Sequence, residues 1–187
     1  MFIETEPTPN PDTLKFLPGR VVMERGSANF PDAESAVGAS PLAEAMFALS
    51  AVRGVFLGYD FITITKDTGE NWDSLKPAVL AALMQFYASG IPAFIEHASS
   101  GENAVDEDEA DADIIDQIKT LLDEKVRPAV AGDGGDIVYR GFKEGVVYLQ
   151  MQGACAGCPS STLTLKHGIE NLLKYYVPEV TDVRAVE

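Results

Sequence analysis

The sequence predicts an α+β protein: two small α+β domains joined by an acidic flexible linker. Three observations lead there. Apolar residues alternate every second position in some stretches and recur at helical spacing in others, on both sides of the middle of the chain. The segment SSGENAVDEDEADAD, Ser99 to Asp113, is small, polar and acidic and has no aromatic residue. It cannot bury enough apolar area to offset its ordering entropy, and its like charges extend it. Beyond it the elements read α-β-β-α-β over about 75 residues, enough to fold alone. The expected division is 1–98, a linker over 99–113, and 114–187.

In the first domain, TLKFLPG and RVVM read as short strands around the Pro18-Gly19 turn. SPLAEAMFAL reads as a helix with Ser40 as N-cap and Pro41 at the first helical position. GVFLGYDFITITKD reads as a hairpin turning at Gly58-Tyr59-Asp60, where Ile62 and Ile64 alternate with Thr63 and Thr65. DSLKPAVLAALMQFYASG reads as a helix with Leu75, Val79, Leu83 and Phe86 on one face and Gly90 beyond its end. Pro77 leaves its first turn open by a few residues.

In the second domain, IIDQIKTLLDEKV carries apolar residues at 114, 115, 118, 121, 122 and 126, a helix face that Asp111 or Asp113 would cap. AGDGGD is a turn-rich loop. DIVYRGFKEGVVYLQMQG is a hairpin turning at Glu144-Gly145. PSSTLTLKHGIENLLKYY is a second helix, stopped before Pro178, and EVTDVRAV is a last strand.

The net charge is −15, and the thirteen residues 101–113 contribute −7 of it. Residues 1–100 carry −6 and residues 114–187 carry −2. A nucleic-acid surface needs clustered Lys and Arg, which this distribution lacks. No apolar run is long enough for a membrane span. The opening MFIETEPTPNPDTLKF has neither a secretory pattern nor the arginine-rich, acid-poor character of a transit peptide. The expected setting is a bacterial cytoplasm, or a mitochondrial matrix if the chain is a trimmed eukaryotic form.

Both cysteines of the chain, Cys155 and Cys158, stand together in GACAGCPSS. A pair at this spacing is no secreted disulfide framework. Pro159 suits a first helical turn, so Cys158 falls near the N-cap and Cys155 in the loop before it. The positive end of the helix dipole then favours thiolate, the form that binds metal or attacks disulfides. Three chemistries fit. One is an iron–sulfur site completed by a second chain, since a cubane cluster wants four thiolates and a two-fold axis would bring two such loops together. Another is a thiol–disulfide redox pair, although a thioredoxin-like fold needs more chain than the 29 residues after Cys158. The last is zinc, for which His167 lies roughly 13 Å from Cys158 along the helix, too far for one metal to take both. An incidental buried pair is the plain alternative.

DGGDIVYRGFKEGVVYLQMQGACAGCPSSTLTLKHGIENLL resembles the NifU C-terminal domain of Nfu iron–sulfur scaffold and carrier proteins. FIETEPTPNPDTLKFLPG is similar to the opening of the separate N-terminal domain of mitochondrial and related alphaproteobacterial Nfu proteins. The resemblance covers both domains and omits the acidic segment. It implies a carrier that binds a 4Fe-4S cluster between two subunits, as a homodimer through the cluster. It further implies receipt from an upstream assembly scaffold and delivery to apo iron–sulfur client proteins. Cys155 and Cys158 match the family's ligand positions.

The remaining residues read more plainly. Asp133, Gly134, Gly135 and Asp136 suit turn chemistry, with a contact surface near the cluster as the alternative. Pro7-Thr8-Pro9-Asn10-Pro11 reads as a structured loop or a partner surface. Trp72, Phe86 and Tyr87 belong to a helix face and core, and Tyr175 and Tyr176 are expected to pack. His167 is a helix-surface residue, and His97 is a weak ligand candidate beside the linker. Ser160 and Ser161 have no base, and GDGGD offers acids where a phosphate needs donors. No enzyme is expected.

Overall fold

The computed structural model describes residues 2–95, 111–156 and 159–186. The chain divides into two compact units, Met1–Ser99 and Ser100–Glu187. Helices and strands mix in both, the α+β class the sequence predicts. Most of the acidic segment lies outside the described residues, as does His97.

The first unit is a five-stranded antiparallel sheet in the order β1-β2-β5-β4-β3. Its strands are β1 (Glu4–Pro7), β2 (Thr13–Leu17), β3 (Ala28–Phe30), β4 (Val52–Leu57) and β5 (Ile62–Lys66). The helices are α1 (Ala33–Ala36), α2 (Pro41–Phe47) and α3 (Trp72–Ser89). Phe16, Val55, Leu57, Ile62 and Ile64 of the sheet share one core with Leu42 and Met46 of α2 and Leu75, Val79, Leu83 and Phe86 of α3. The apolar spacing of α3 therefore sets which face meets the sheet. Pro77 lies inside the helix, one turn past its start, and leaves the Asp73 carbonyl without its regular backbone donor. Asn71 caps the helix and Gly90 ends it in the left-handed conformation, at φ 71°. Ser40 caps α2 by accepting from the Ala43 N–H at 3.0 Å, and its hydroxyl donates to the Ala93 carbonyl at 2.6 Å. That second bond ties the segment after α3 to the start of α2.

One expectation fails here. Val21–Met23 form no strand: the Val22 and Met23 N–H groups both donate to the Tyr59 carbonyl, so RVVM is a loop pinned to the hairpin turn. Between Thr8 and Asp12 the chain is the structured loop expected, closed by Thr8 Oγ1 on the Asn10 and Thr13 carbonyls and by Asn10 Oδ1 on the Asp12 N–H. Pro7 itself ends the edge strand β1, where a missing donor harms no ladder.

In the second unit the first helix starts at Ala112, two residues ahead of expectation, and Asp111 makes no side-chain cap. It runs on past Val126. An α-helical segment α4 (Ala112–Leu121) passes through a π-helical turn, Leu122–Val126, into α5 (Arg127–Gly132). Pro128 explains the wide turn: its ring and missing N–H clash with regular α-helical bonding one turn back, and a local widening keeps the rod continuous. Ile115, Ile118, Leu122, Val126 and Val130 stay on the buried side throughout. A three-stranded sheet follows, with β6 (Gly135–Lys143) antiparallel to β7 (Val146–Gly153) and β8 (Asp182–Val186) parallel to β7. The crossover from β7 to β8 is α6 (Pro159–Tyr176), which packs Ile169 and Leu173 into the core. Tyr175 and Tyr176 do not pack as expected. They meet edge to face at 5.0 Å, but Tyr175 is 80% exposed, because both sit in the last turn, beyond Leu173.

The two-residue turn between β6 and β7 has φ 51° at Glu144 and 79° at Gly145, the pattern of a type I′ hairpin. A Cβ on Gly145 would stand 2.7 Å from Thr181 Oγ1 and 3.0 Å from the Glu179 carbonyl. Gly145→Ala should therefore lower the urea-unfolding stability of the chain by roughly 1–3 kcal/mol. Gly69→Ala, which meets open space, should leave it nearly unchanged. Equal midpoints for the two variants would contradict the strain.

Candidate metal centre at the cysteine loop

Strand β7 ends at Gly153, whose φ of 65° turns the chain out of the sheet. The Ala154 N–H donates to the Gly134 carbonyl at 3.1 Å, and the Ala156 N–H donates to the Gly153 carbonyl at 3.1 Å. These bonds close a turn that carries Cys155. Its side chain is buried, 6% exposed, against the sheet end of the core. The Thr162 hydroxyl reaches back from α6 to donate to the Cys155 carbonyl at 3.0 Å. The cysteine loop is thus fastened to the β6 side through Gly134 and to the first turns of α6 through Thr162.

Gly135 is the closest constraint on the thiol. It stands opposite Gly153 in the β6–β7 register. A Cβ there would lie 2.7 Å from Cys155 Sγ, 2.6 Å from the Gln152 carbonyl and 3.2 Å from the Cys155 N–H nitrogen. No L side chain fits without moving the cysteine. Of the two glycines, Gly134 takes the left-handed turn at φ 82°, as turn chemistry requires, and Gly135 makes the close approach.

The next residue anchors this loop. Asp136 is buried and takes a bidentate pair from Arg127 of α5, Nε to Oδ1 at 2.9 Å and Nη2 to Oδ2 at 2.8 Å. Asp136 Oδ1 also accepts from the Ile137 N–H at 2.8 Å. The Asp136 hydrogen bond holds the Arg127 guanidinium above its ordinary value despite desolvation, with Asp123 adding to the effect. A chain of contacts therefore runs from α5 through Arg127, Asp136 and Gly135 to the thiol.

Cys158 and Gly157 lie outside the described residues, so the second predicted ligand stays a sequence-based expectation. His167 is on the exposed surface of α6, 3.8 Å from Glu170, the helix-surface position expected for it. Among the described residues no three His, Cys, Asp or Glu side chains gather as a metal-binding group. The sequence points to Cys155 but gives no reason for Gly135 packed beside it, for the Arg127–Asp136 anchor or for Thr162. The repeated glycine of GDGGD was the available signal, since one turn needs one left-handed glycine and the second required another reason.

Family models match in both units. One, described as the scaffold protein Nfu/NifU N-terminal domain, matches residues 3–90, and one for the NifU-like domain matches residues 118–184. The human NFU1 iron–sulfur cluster scaffold homolog, mitochondrial, is 48% identical over 187 residues, covering 100% of this chain and 72% of that protein. NifU-like protein 4, mitochondrial, of Arabidopsis thaliana is 52% identical, covering 98% of this chain and 65% of that protein. Among solved structures, the solution NMR structure of a NifU-like protein from Saccharomyces cerevisiae is 29% identical, with a TM-score of 0.47, over 52% of this chain and 87% of that one.

Two substitutions test the loop. Gly135→Ala should displace Cys155 and raise its alkylation rate several-fold, read by mass spectrometry of the modified peptide, whereas Gly132→Ala, with open space around it, should not. Unchanged reactivity in Gly135→Ala would mean the close approach does not hold the thiol. Arg127→Met should strand the buried Asp136 carboxylate and cost roughly 2 kcal/mol, less than a fully buried pair because Arg127 is partly exposed. Denaturation of the variant at wild-type urea concentration would contradict the anchor.

Proposed function

We propose a function for this chain from one premise: it belongs to the Nfu family, whose members join an Nfu N-terminal domain to a NifU-like domain. The relatives named as iron–sulfur cluster scaffolds support a scaffold role in iron–sulfur cluster assembly. On that basis the chain is a non-catalytic carrier. It holds a 4Fe-4S cluster between two copies of its second unit and passes it to apo-proteins.

The observation that carries this reading is the placement of Cys155, in a braced turn directly before an 18-residue helix. The helix N-terminus presents positive potential to anionic sulfur. The cluster is cargo. With its core at 2+ and four thiolates it has a net charge of −2, which that potential offsets. Its neighbours, Ala154 and Ala156, are small, and the thiol is buried between them. Each chain supplies Cys155 and Cys158, so two chains make the four-thiolate set, in the isologous arrangement of a two-fold dimer.

Delivery is ligand exchange. Each iron–sulfur bond to a carrier thiolate is replaced by one to a client thiolate. The client thiol's proton ends on the departing carrier thiolate, and the cluster keeps its oxidation state. An upstream scaffold supplies the cluster by the same exchange in reverse. The named relatives are mitochondrial forms, which supports the organellar setting and lends nothing to a bacterial cytoplasm. No helix among the described residues is long and apolar enough to cross a membrane.

Anaerobic reconstitution with iron and sulfide tests the ligands. Cys155→Ser and Cys158→Ser should each lose the cluster, with iron falling from about two per chain to near zero and far-UV circular dichroism unchanged. A full cluster in either variant would sink the assignment. So would a wild-type protein that takes up no iron but reduces disulfides with a reversible dithiol potential, the signature of a redox pair.

A further inference from the structure

The first unit contains a cleft of about 620 Å³ between the loop at 20–25 and the segment after α3. Val22, Met23 and Phe94 give it apolar walls, and the exposed side chains of Val21 and Ile91 also line it. The volume is that of an ordinary small-ligand site, although the lining is more polar than apolar.

Those polar groups share one character. The residues 1–100 carry −6, and three of the unit's cations are taken up by carboxylates: Lys15 by Glu6, Arg53 by Asp67 and Lys66 by Asp12. Arg20 and Arg25 line the cleft and make no ion pair among the described residues. Arg20 instead lies over the Tyr87 ring, 5.0 Å from its centroid. The Tyr87 hydroxyl is buried and finds no hydrogen-bond partner among the described residues. A buried hydroxyl without a partner is costly, so a native structure that keeps one has a use for it. Burial pushes its phenol up to about 12, against the pull of Arg20, so it remains a neutral donor at physiological pH.

We propose that this cleft binds a monocarboxylate bearing a branched apolar group. The carboxylate is taken by Arg20, Arg25 and the Tyr87 O–H, and the apolar group lies against Val22, Met23 and Phe94. Arginine suits an acceptor with two oxygens. One negative charge is favoured over two because Glu24 also lines the cleft, leaving Arg20, Arg25 and Glu24 with a single net positive charge. A phosphate dianion would overfill it. The same chemistry is offered by a free organic acid and by the C-terminus of a peptide ending in an apolar residue. The site belongs to the first unit and does not rest on cluster binding.

The test is amide NMR of the ¹⁵N-labelled full chain. One arm titrates N-acetyl-leucine and a second an acetylated pentapeptide ending in leucine with a free carboxylate. N-acetyl-leucinamide and inorganic phosphate are the controls. At least one acid should give saturable shifts at Val22, Met23, Ala93 and Phe94, and the tighter of the two identifies the source. Arg20→Gln with Arg25→Gln should weaken binding at least tenfold. Tyr87→Phe should weaken it several-fold without lowering the thermal midpoint, because the hydroxyl has no partner to lose. The inference is overturned if neither acid gives saturable shifts in the millimolar range, if the amide binds as well as the acid, or if phosphate binds more tightly than both.

Discussion

The contact between Gly135 and Cys155 is the constraint around which the second unit is arranged. A glycine at that point lets the end of β6 lie flush against the thiol, and nothing larger does. For the glycine to be there, β6 must pair with β7 so that Gly135 faces Gly153. That register is fixed at its far end by the tight turn at Glu144-Gly145, and a slip by one residue would send every inward side chain of the hairpin outward. At its near end it is fixed by Asp136, held by Arg127 from α5. The π-helical turn around Pro128 keeps α5 continuous with α4, so the arginine stands on an element rooted in the core. Hairpin, helix and ion pair converge on one sulfur.

Under the proposed function, this arrangement suits a loop that serves a labile cargo. The turn at Cys155 is short and its bonds to Gly134 and Thr162 go through backbone carbonyls. The scaffold holds the Cys155 thiol buried, with exposed Ala156 beside it. A resident cofactor is retained by a dense shell of hydrogen bonds to its ligands. A carrier needs ligands that are preorganised yet replaceable. The first unit is built to another plan, with an antiparallel sheet covered by α2 and α3 and a polar cleft beside Tyr87. It has no cysteine, and two of its arginines make no ion pair among the described residues.

The parts of the fold legible in the sequence are those where one physical rule acts alone. Leu75, Val79, Leu83 and Phe86 form a helical stripe, and those four are the buried residues of α3. Ser40-Pro41 and Glu144-Gly145 mark a cap and a turn through local chemistry only. Legibility fails where tertiary contacts decide. β3 is three residues long, and β1 is a polar edge strand whose place comes from backbone pairing with β2, so neither shows a pattern. Val21–Met23 is apolar enough to pass for a strand, but the Tyr59 carbonyl captures its N–H groups. The apolar stripe of IIDQIKTLLDEKV marks a helix that a widened turn carries on past Pro128 to Gly132. At the site, the thiols announce their own chemistry, whereas Gly135, Arg127 and Thr162 matter through partners distant in sequence.

The central claim is that one cluster is shared by two chains. Multi-angle light scattering combined with iron and sulfide analysis on the same reconstituted sample tests it most directly. The account predicts a dimer of about 40 kDa holding one 4Fe-4S cluster, twice the 20.1 kDa of a single chain and stabilised by mass action when the cluster binds. Chelation of the iron should return it to the monomer or to a weaker dimer. A monomer carrying four irons and four sulfides would contradict the shared ligand set.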